Sequence, residues 1–345
     1  MLYAFLLSGE YPELAKAEVE YLLSLSNPTH FGRVLVYTAD FGDLINRFIS
    51  RLALTKEVVK VYSICSFEEL KDVIENLAEY VLLLNKKCCV RVKYFTPGSM
   101  VLGNAKKVKD VEVTLKDVQV QELEKRLGAI LWRKGVNISV SNPDIIIRIY
   151  IFPDSKVIVG ILVFKLNAKE YSRRHPEKRP YFRPGVMLPK LCRALVNIAL
   201  KEGKLLDPMC GTGGIVIEAY FSKLNAYGVE LYPEIVRGCR TNLKALGVKA
   251  DVVCGNALKM PFRDEVFDSI VTDFPYFQSS KSIFDKETIY SKAPEEFYRV
   301  LKPGKRAVVV TNTEIDFSPF KILDVYRIRV HGNLVRKIYV IQKSS

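Results

Sequence analysis

From residue 204 onward the apolar runs of this chain alternate strictly between strand-like and helix-like segments, and that alternation permits few folds. Lys204–Leu206 reads as a short strand entering a Gly-rich turn, Ile215–Leu224 as a helix, Ala226–Leu231 as a strand, Pro233–Leu246 as a helix and Ala250–Cys254 as a strand. Phe267–Thr272, Pro294–Leu301 and Arg306–Thr311 continue as strand, helix and strand. Consecutive parallel strands need crossover helices, which cover both faces of the sheet, so the pattern predicts a doubly wound α/β domain. The end of the chain departs from the alternation. Lys321–Val330 and Val335–Gln342 are β-rich runs separated only by His331–Leu334. So short a link cannot hold a crossover helix, and this final pair must be antiparallel.

Upstream the texture is α+β. Leu2–Ser8, Arg33–Thr38, Val58–Ile64, Cys89–Tyr94, Ile145–Phe152 and Lys156–Lys165 read as strands. Pro12–Leu25, Asp43–Leu54, Phe67–Leu83 and Val118–Lys134 carry helical apolar spacing. Asn167–Pro189 is polar and cationic and contains Pro176, Pro180, Pro184 and Pro189, which predicts a linker or clamp segment. A chain of 345 residues is long for one core. The changes of texture divide it into regions 1–50, 51–166, 167–186 and 187–345.

Charge narrows the partners. Lys and Arg number 52 against 38 Asp and Glu, a formal net charge of +14. Such an excess attracts polyanions by steering and counterion release. One cationic cluster comprises Lys86, Lys87, Arg91, Lys93, Lys106, Lys107 and Lys109, with Tyr94 and Phe95 interleaved. A second, within Lys165–Arg183, contains Arg173, Arg174, Lys178 and Arg179. Both are candidate contacts for a nucleic acid. No apolar stretch approaches the ~20 residues that span a bilayer, and Met1–Glu10 lacks the basic segment and cleavage site of a signal peptide. The seven cysteines form no C-x-x-C pair, and the histidines (His30, His175, His331) are far apart. Neither pattern suits a protein metal site. A cytoplasmic protein with reduced thiols and no membrane contact is the expectation.

Two motifs carry chemistry. The first is Asp207-Pro208-Met209-Cys210-Gly211-Thr212-Gly213-Gly214, between a strand and a helix. Its glycines let backbone approach a ligand, and the helix amides behind them present donors. There is no Gly-Lys-Ser/Thr, which disfavours a phosphate-binding loop. Asp207 at the strand end suits a ligand ammonium, a group adenosylmethionine has and NAD lacks. Glu230 ends the next strand, where a carboxylate takes both ribose hydroxyls. After the third strand, Asn256 followed by Ala257 stands where a side-chain amide meets an adenine edge. A reversed terminal hairpin on such a sheet also suits a methyltransferase better than a nicotinamide dehydrogenase.

The second motif, Asp273-Phe274-Pro275-Tyr276, ends the fourth strand on the side of the sheet where ligands gather. An exocyclic base amine is a poor nucleophile because its lone pair is delocalised into the ring. Catalysis needs acceptors that hold the amino hydrogens and stabilise developing positive charge, in line with a methyl donor. Asp273 supplies a carboxylate, the Phe274 carbonyl a second acceptor, and Tyr276 a ring on which a flipped base can stack. A carboxylate also binds guanine's adjacent N1–H and N2–H together, which favours guanine over adenine. No protein nucleophile is needed.

These motifs resemble those of the archaeal tRNA (guanine-10-N2) methyltransferases, class I enzymes with an N-terminal THUMP region. The similarity runs over Arg179–Gly185, the Asp207–Gly214 turn, Gly228–Glu230, Asn242–Leu243, Thr272–Ser280, Arg299–Gly304 and His331–Val340. Residues 57–164 resemble THUMP more diffusely, ending in Ile158–Ile161. The resemblance implies a Rossmann-like class I methyltransferase sheet at 187–345 with a terminal antiparallel hairpin. Before it would come a ferredoxin-like α+β region at 1–50, a THUMP RNA-binding region at 51–166 and a basic linker at 167–186. It implies S-adenosyl-L-methionine held by Asp207, Pro208, Gly211, Thr212, Gly213, Glu230, Asn256, Ala257 and Asp273, and catalysis at Asp273, Phe274, Pro275 and Tyr276. tRNA would be the partner, with no metal and no obligatory helper subunit. The family usually has Asp-Pro-Pro-Tyr-Gly; here Phe274 replaces the first proline and Phe277 the glycine. The first exchange keeps the backbone carbonyl, whereas the second is strained if the backbone there needs φ > 0. Methylation of guanine 6 in tRNA, a tRNA-binding protein of weak activity, and DNA adenine methylation are the competing readings.

Overall fold

The computed structural model describes residues 1–39, 44–96, 117–276, 286–331 and 334–345. The chain forms two compact units. One holds residues 1–12, 25–50 and 55–166. The other takes 13–24, which is nearly all of helix α1 (Pro12–Leu23), with 51–54 and everything from Asn167.

The first unit contains strands β1 (Leu2–Leu7), β2 (Thr29–Phe31), β3 (Val34–Thr38), β4 (Thr55–Ser66), β5 (Cys88–Tyr94), β6 (Ile145–Ile151) and β7 (Lys156–Lys165), with helices α2 (Leu44–Ile49), α3 (Leu70–Leu83) and α4 (Asp117–Arg133). Its described strands form one sheet, in the order β2-β3-β1-β4-β7-β6-β5. The sequence suggests a boundary at residue 50, but both edges of β1 are used: Tyr3 pairs with Tyr37 of β3 and with Lys60 of β4. Among the described residues, the strands of 1–39 and those from 55 to 165 therefore share one sheet across the expected boundary. The period of two along β6 and β7 separates two cores. Ile147, Ile149 and Val159 pack with Ile74, Leu77 and Leu131 of α3 and α4, whereas Tyr150, Phe152 and Ile158 pack with Ala4, Leu6 and Phe95.

The second unit adds α5 (Ala168–Arg173), α6 (Pro189–Ala199), β8 (Lys204–Asp207), α7 (Gly214–Phe221), β9 (Asn225–Glu230), α8 (Pro233–Ala245), β10 (Asp251–Cys254), β11 (Phe267–Asp273), α9 (Lys286–Val300), β12 (Leu301–Thr311), β13 (Lys321–His331) and β14 (Leu334–Gln342). The sheet order is β10-β9-β8-β11-β12-β14-β13. The first five strands run parallel and β14 is antiparallel to both β12 and β13, as the alternation and the short final link require. The strand order reverses between β8 and β11, so a crevice opens at their carboxyl ends. Two helices differ from the sequence expectation. Pro189 opens α6, a position proline tolerates well, rather than closing a linker. Pro294 lies inside α9, which starts at Lys286 instead of at the proline.

The Pro-containing segment is built into this unit rather than free. Arg174 is 6% exposed and ion-paired to Glu218 (Nε···Oε1 2.7 Å), with its guanidinium over the rings of Tyr171 and Phe221. Arg193 reaches the same carboxylate at 2.8 Å. Arg179 is 5% exposed and donates twice to the Arg174 carbonyl, at 3.0 and 2.9 Å. Arg174 and Arg179, expected to contact RNA, are thus buried within the unit, with Nε and Nη2 of each already held by Glu218 or by the Arg174 carbonyl. Helix α1 is fixed by Glu18, fully buried, which accepts from the amides of Ala53 and Leu54 at 2.8 Å each and from Asn197 Nδ2 at 2.7 Å. Among the described residues no helix is long and apolar enough to cross a membrane.

Candidate functional site

The Gly-rich turn follows β8 directly. Asp207 is 2% exposed, and its Oδ1 accepts from Met209 N at 3.2 Å. Cys210 N donates to the Val229 carbonyl (2.9 Å) and Gly213 N to the Cys210 carbonyl (2.8 Å), which folds the turn tightly against β9. Gly213 caps α7 with φ +88°, and a Cβ there would lie 2.8 Å from Cys239 Sγ of α8. Only glycine satisfies both conditions. Glu230 closes the far side: its two carboxylate oxygens accept from Gly211 N (3.0 Å) and Tyr232 N (3.1 Å). Pro208 and Thr212 are buried in the same turn.

Burial dominates the electrostatics of these acids. It pushes the Asp207 carboxyl up to about 8, with Asp273 and Glu230 adding repulsion, against the opposing hydrogen bond from Met209. Glu230 is raised for the same reason, partly offset by its backbone donors. Acids enclosed in this way suit a cationic ligand, which restores the charged form. At the end of β10, Asn256 Oδ1 accepts from Leu258 N at 2.9 Å in a local turn beside half-buried Ala257. Its amide NH2 is thus the group able to meet an adenine nitrogen.

Asp273 ends β11, adjacent to β8. Its side chain is 22% exposed, and burial pushes the carboxyl up to about 6. Tyr276 Oη donates to Asp273 Oδ1 at 2.6 Å. Phe274 points into the core, 1% exposed, stacked on Tyr290 (centroids 5.3 Å, 27°) and edge-on to Phe297. Its amide donates to the Val310 carbonyl at 2.9 Å. A proline at 274 would lack that donor, so the exchange adds a ladder bond and a core ring while leaving the carbonyl in place. Phe277 lies outside the described residues.

Three side chains that the motifs do not announce complete the site. Tyr290 of α9 donates to the Pro275 carbonyl at 3.0 Å and so pins the loop after β11. Asn242 of α8 is fully buried and holds Tyr181 through both backbone groups, N to Oδ1 at 2.9 Å and Nδ2 to O at 2.8 Å. Its Nδ2 also reaches the Thr212 carbonyl at 3.1 Å, tying the Pro-containing segment to the Gly-rich turn. The Tyr181 ring lies so close to α8 that a Cβ on Gly238 would fall 2.2 Å from it. Arg336 of β14 contacts Tyr276 and Asp273. Asn242 and Arg336 fall within segments of family resemblance, but no local spacing assigns them a role.

Of the expected RNA-contacting cations, Lys86, Lys87 and Arg173 are exposed. Arg91 is half-buried against Glu124 (3.4 Å) and Lys93 against Glu57 (3.2 Å), so both are largely used within the first unit. Lys106, Lys107 and Lys109 lie outside the described residues.

Known proteins align with this architecture. Residues 176–329 match the family described as RMKL-like, methyltransferase domain. The crystal structure of TrmN from Thermus thermophilus superposes with a TM-score of 0.52 over 99% of this chain and 100% of that one, at 17% identity, a likeness of fold. The tRNA (guanine(10)-N2)-dimethyltransferase of Methanothermobacter thermautotrophicus is 28% identical over 98% of both chains. That of Pyrococcus abyssi is 31% identical over 345 residues, 97% of each chain. At that identity over nearly its whole length, the chain belongs to the tRNA (guanine(10)-N2)-dimethyltransferase family.

Proposed function

We propose that this protein methylates the exocyclic N2 of guanine 10 in tRNA, the activity named for its relatives, using S-adenosyl-L-methionine. The observation that carries the reading is the meeting of two motifs at one switch point: Asp273 ends β11 while Asp207 and the Gly-rich turn end the neighbouring β8. S-adenosyl-L-methionine, when bound, supplies an electrophilic methyl carbon on a sulfonium. The residues suit it. Asp207 would take the ammonium, Glu230 the ribose hydroxyls, and Asn256 with Ala257 the adenine edge. Pro208, Gly211, Thr212 and Gly213 would line the turn.

The chain's own part in transfer follows from the second motif. Asp273 accepts a hydrogen of the base amine, and the Phe274 carbonyl accepts the other, localising the lone pair on nitrogen. As the N–C bond forms, nitrogen becomes positive and the carboxylate stabilises it. The proton then leaves through Asp273 to water, so the amine is ready for a second transfer. Tyr276 offers its ring to the extruded base, and Pro275 fixes the turn that presents it. The first unit is read as a THUMP-type RNA grip, with Lys86, Lys87 and, from the second unit, Arg173 on phosphates.

The test is methylation of an unmodified tRNA transcript followed by nucleoside mass spectrometry. N2-methyl- and N2,N2-dimethylguanosine are expected, and neither should form when guanine 10 is replaced by adenine. Product at guanine 6, or RNA binding without turnover, would overturn the assignment.

A further inference from the structure

We propose that Arg336 is a positioning residue for methyl transfer, holding Asp273 as the acceptor carboxylate and latching Tyr276 beside it until the base arrives. The proposal rests on the reading of Asp273 given above. Arg336 lies near the start of β14, far from either motif in the chain, and is 5% exposed. Its Nε donates to Tyr276 Oη at 2.8 Å, and its Nη2 donates to the Gly185 carbonyl at 3.1 Å. The same Nη2 is 3.7 Å from Asp273 Oδ2. The direction of the chain is fixed because a guanidinium has donors only. Tyr276 must accept from Arg336, so its single hydroxyl proton goes to Asp273 Oδ1.

Two consequences follow. The tyrosine hydroxyl occupies the carboxylate oxygen that a base amine needs, so an entering guanine exchanges one donor for another and no oxygen is left bare. Asp273 also faces Asp207 from β8, the Cys192 thiol from α6 and Tyr290 from α9, none of which favours its charge, while Tyr276 from its own loop donates to it. Among the described residues, Arg336 is the cation that faces it, opposing the burial that raises its proton affinity. Gly185 anchors the guanidinium from the Pro-containing segment, which links docking of that segment to readiness of the acceptor.

The test uses the full chain and the variants Arg336→Met, Arg336→Lys and Tyr276→Phe. Single-turnover methylation of tRNA is followed from pH 5.5 to 9, alongside calorimetric S-adenosyl-L-methionine binding. In parallel, the Asp273 carboxyl is titrated by carbon-13 NMR, assigned by loss of its signal in Asp273→Asn. The unsubstituted protein should gain rate about tenfold per pH unit up to about 6 and then level. Arg336→Met should move both the rate limb and the NMR titration up by about one pH unit or more. Its rate should fall about fivefold or more at pH 6 and largely recover at pH 8.5, with cofactor affinity unchanged. Arg336→Lys should restore part of the limb, and Tyr276→Phe should raise the carboxyl's titration by removing its hydroxyl donor. A limb and a titration that stay put in Arg336→Met, with an equal rate loss at every pH, would overturn the proposal. The NMR titration reads Asp273 whether or not guanine is the substrate. A shifted titration in a protein that leaves tRNA unmethylated would uphold Arg336's hold on the carboxylate and sink the substrate reading instead.

Discussion

Replacing Asp207 by asparagine should make the ligand-free protein more stable at alkaline pH while weakening its grip on S-adenosyl-L-methionine. The carboxyl is 2% exposed and pushed from its ordinary 3.8 to about 8, chiefly by burial. Between those values the folded protein keeps this group protonated while the unfolded chain releases the proton. Folding therefore takes up a proton across that window, and stability falls as pH rises from about 4 to about 8. At about 1.36 kcal/mol per pH unit the full span bounds the cost at about 6 kcal/mol. The effect at pH 8 is therefore on the order of several kcal/mol. Asparagine keeps an Oδ1 to accept from Met209 N and carries no charge, so Asp207→Asn should match the unsubstituted protein near pH 3.5 and exceed it by that amount at pH 8. Binding should move the other way, because a charge-assisted hydrogen bond to the ligand ammonium is worth about 1.5–3 kcal/mol, roughly 10- to 100-fold in affinity. In the unsubstituted protein that affinity should climb with pH toward 8, as ionisation of Asp207 becomes free. Urea denaturation at both pH values and calorimetry with S-adenosyl-L-methionine provide the readouts. A variant less stable than its parent at pH 8, or one that binds the cofactor equally well, would refute the reasoning.

Other perturbations probe the frame around the site. Phe274→Pro restores the residue usual in the family but removes the amide bond to Val310 and the ring stacked on Tyr290; urea denaturation should show a loss of about 3 kcal/mol or more. Glu218→Gln leaves the Arg174 and Arg193 guanidiniums buried without their anion, a loss of about 3–5 kcal/mol by the same measurement. Lys86→Glu with Lys87→Glu should weaken tRNA binding and flatten its salt dependence by about one unit of slope for each phosphate no longer neutralised, while cofactor affinity stays put. Arg174→Glu should instead unfold the second unit, which melting curves would reveal.

Much of the second unit was legible because its signals are local. A period of two for strands, crossover helices between them and a link too short for a helix specify a parallel sheet with a reversed end before any tertiary neighbour is known. The Gly-rich turn, Glu230 and Asp273 were legible for the same reason: each is the last residue of a strand or the turn after it. Proline proved ambiguous. At 189 it opens a helix, at 294 it lies inside one, and only packing decides between those and a breaker. The cations of the Pro-containing segment misled because charge in a sequence says nothing of burial. Arg174 and Arg179 lie among exposed Arg173 and Lys178, and only the position of Glu218 on α7 separates them. Asn242, Tyr290 and Arg336 were illegible as site residues because their partners come from other elements, brought near by the sheet order alone.

The path of the chain through α1 has a consequence for dissecting this enzyme. Residues 13–24 and 51–54 belong to the catalytic half although they are interleaved with strands of the other sheet. A fragment starting at Asn167 would carry every residue proposed for cofactor binding and catalysis and still lack Glu18, leaving Asn197 and a buried flank of α6 bare. The two halves cannot be exchanged between relatives by a single crossover. A working chimera would have to inherit its α1 and its methyltransferase sheet from the same parent, so natural recombination should have kept the two together.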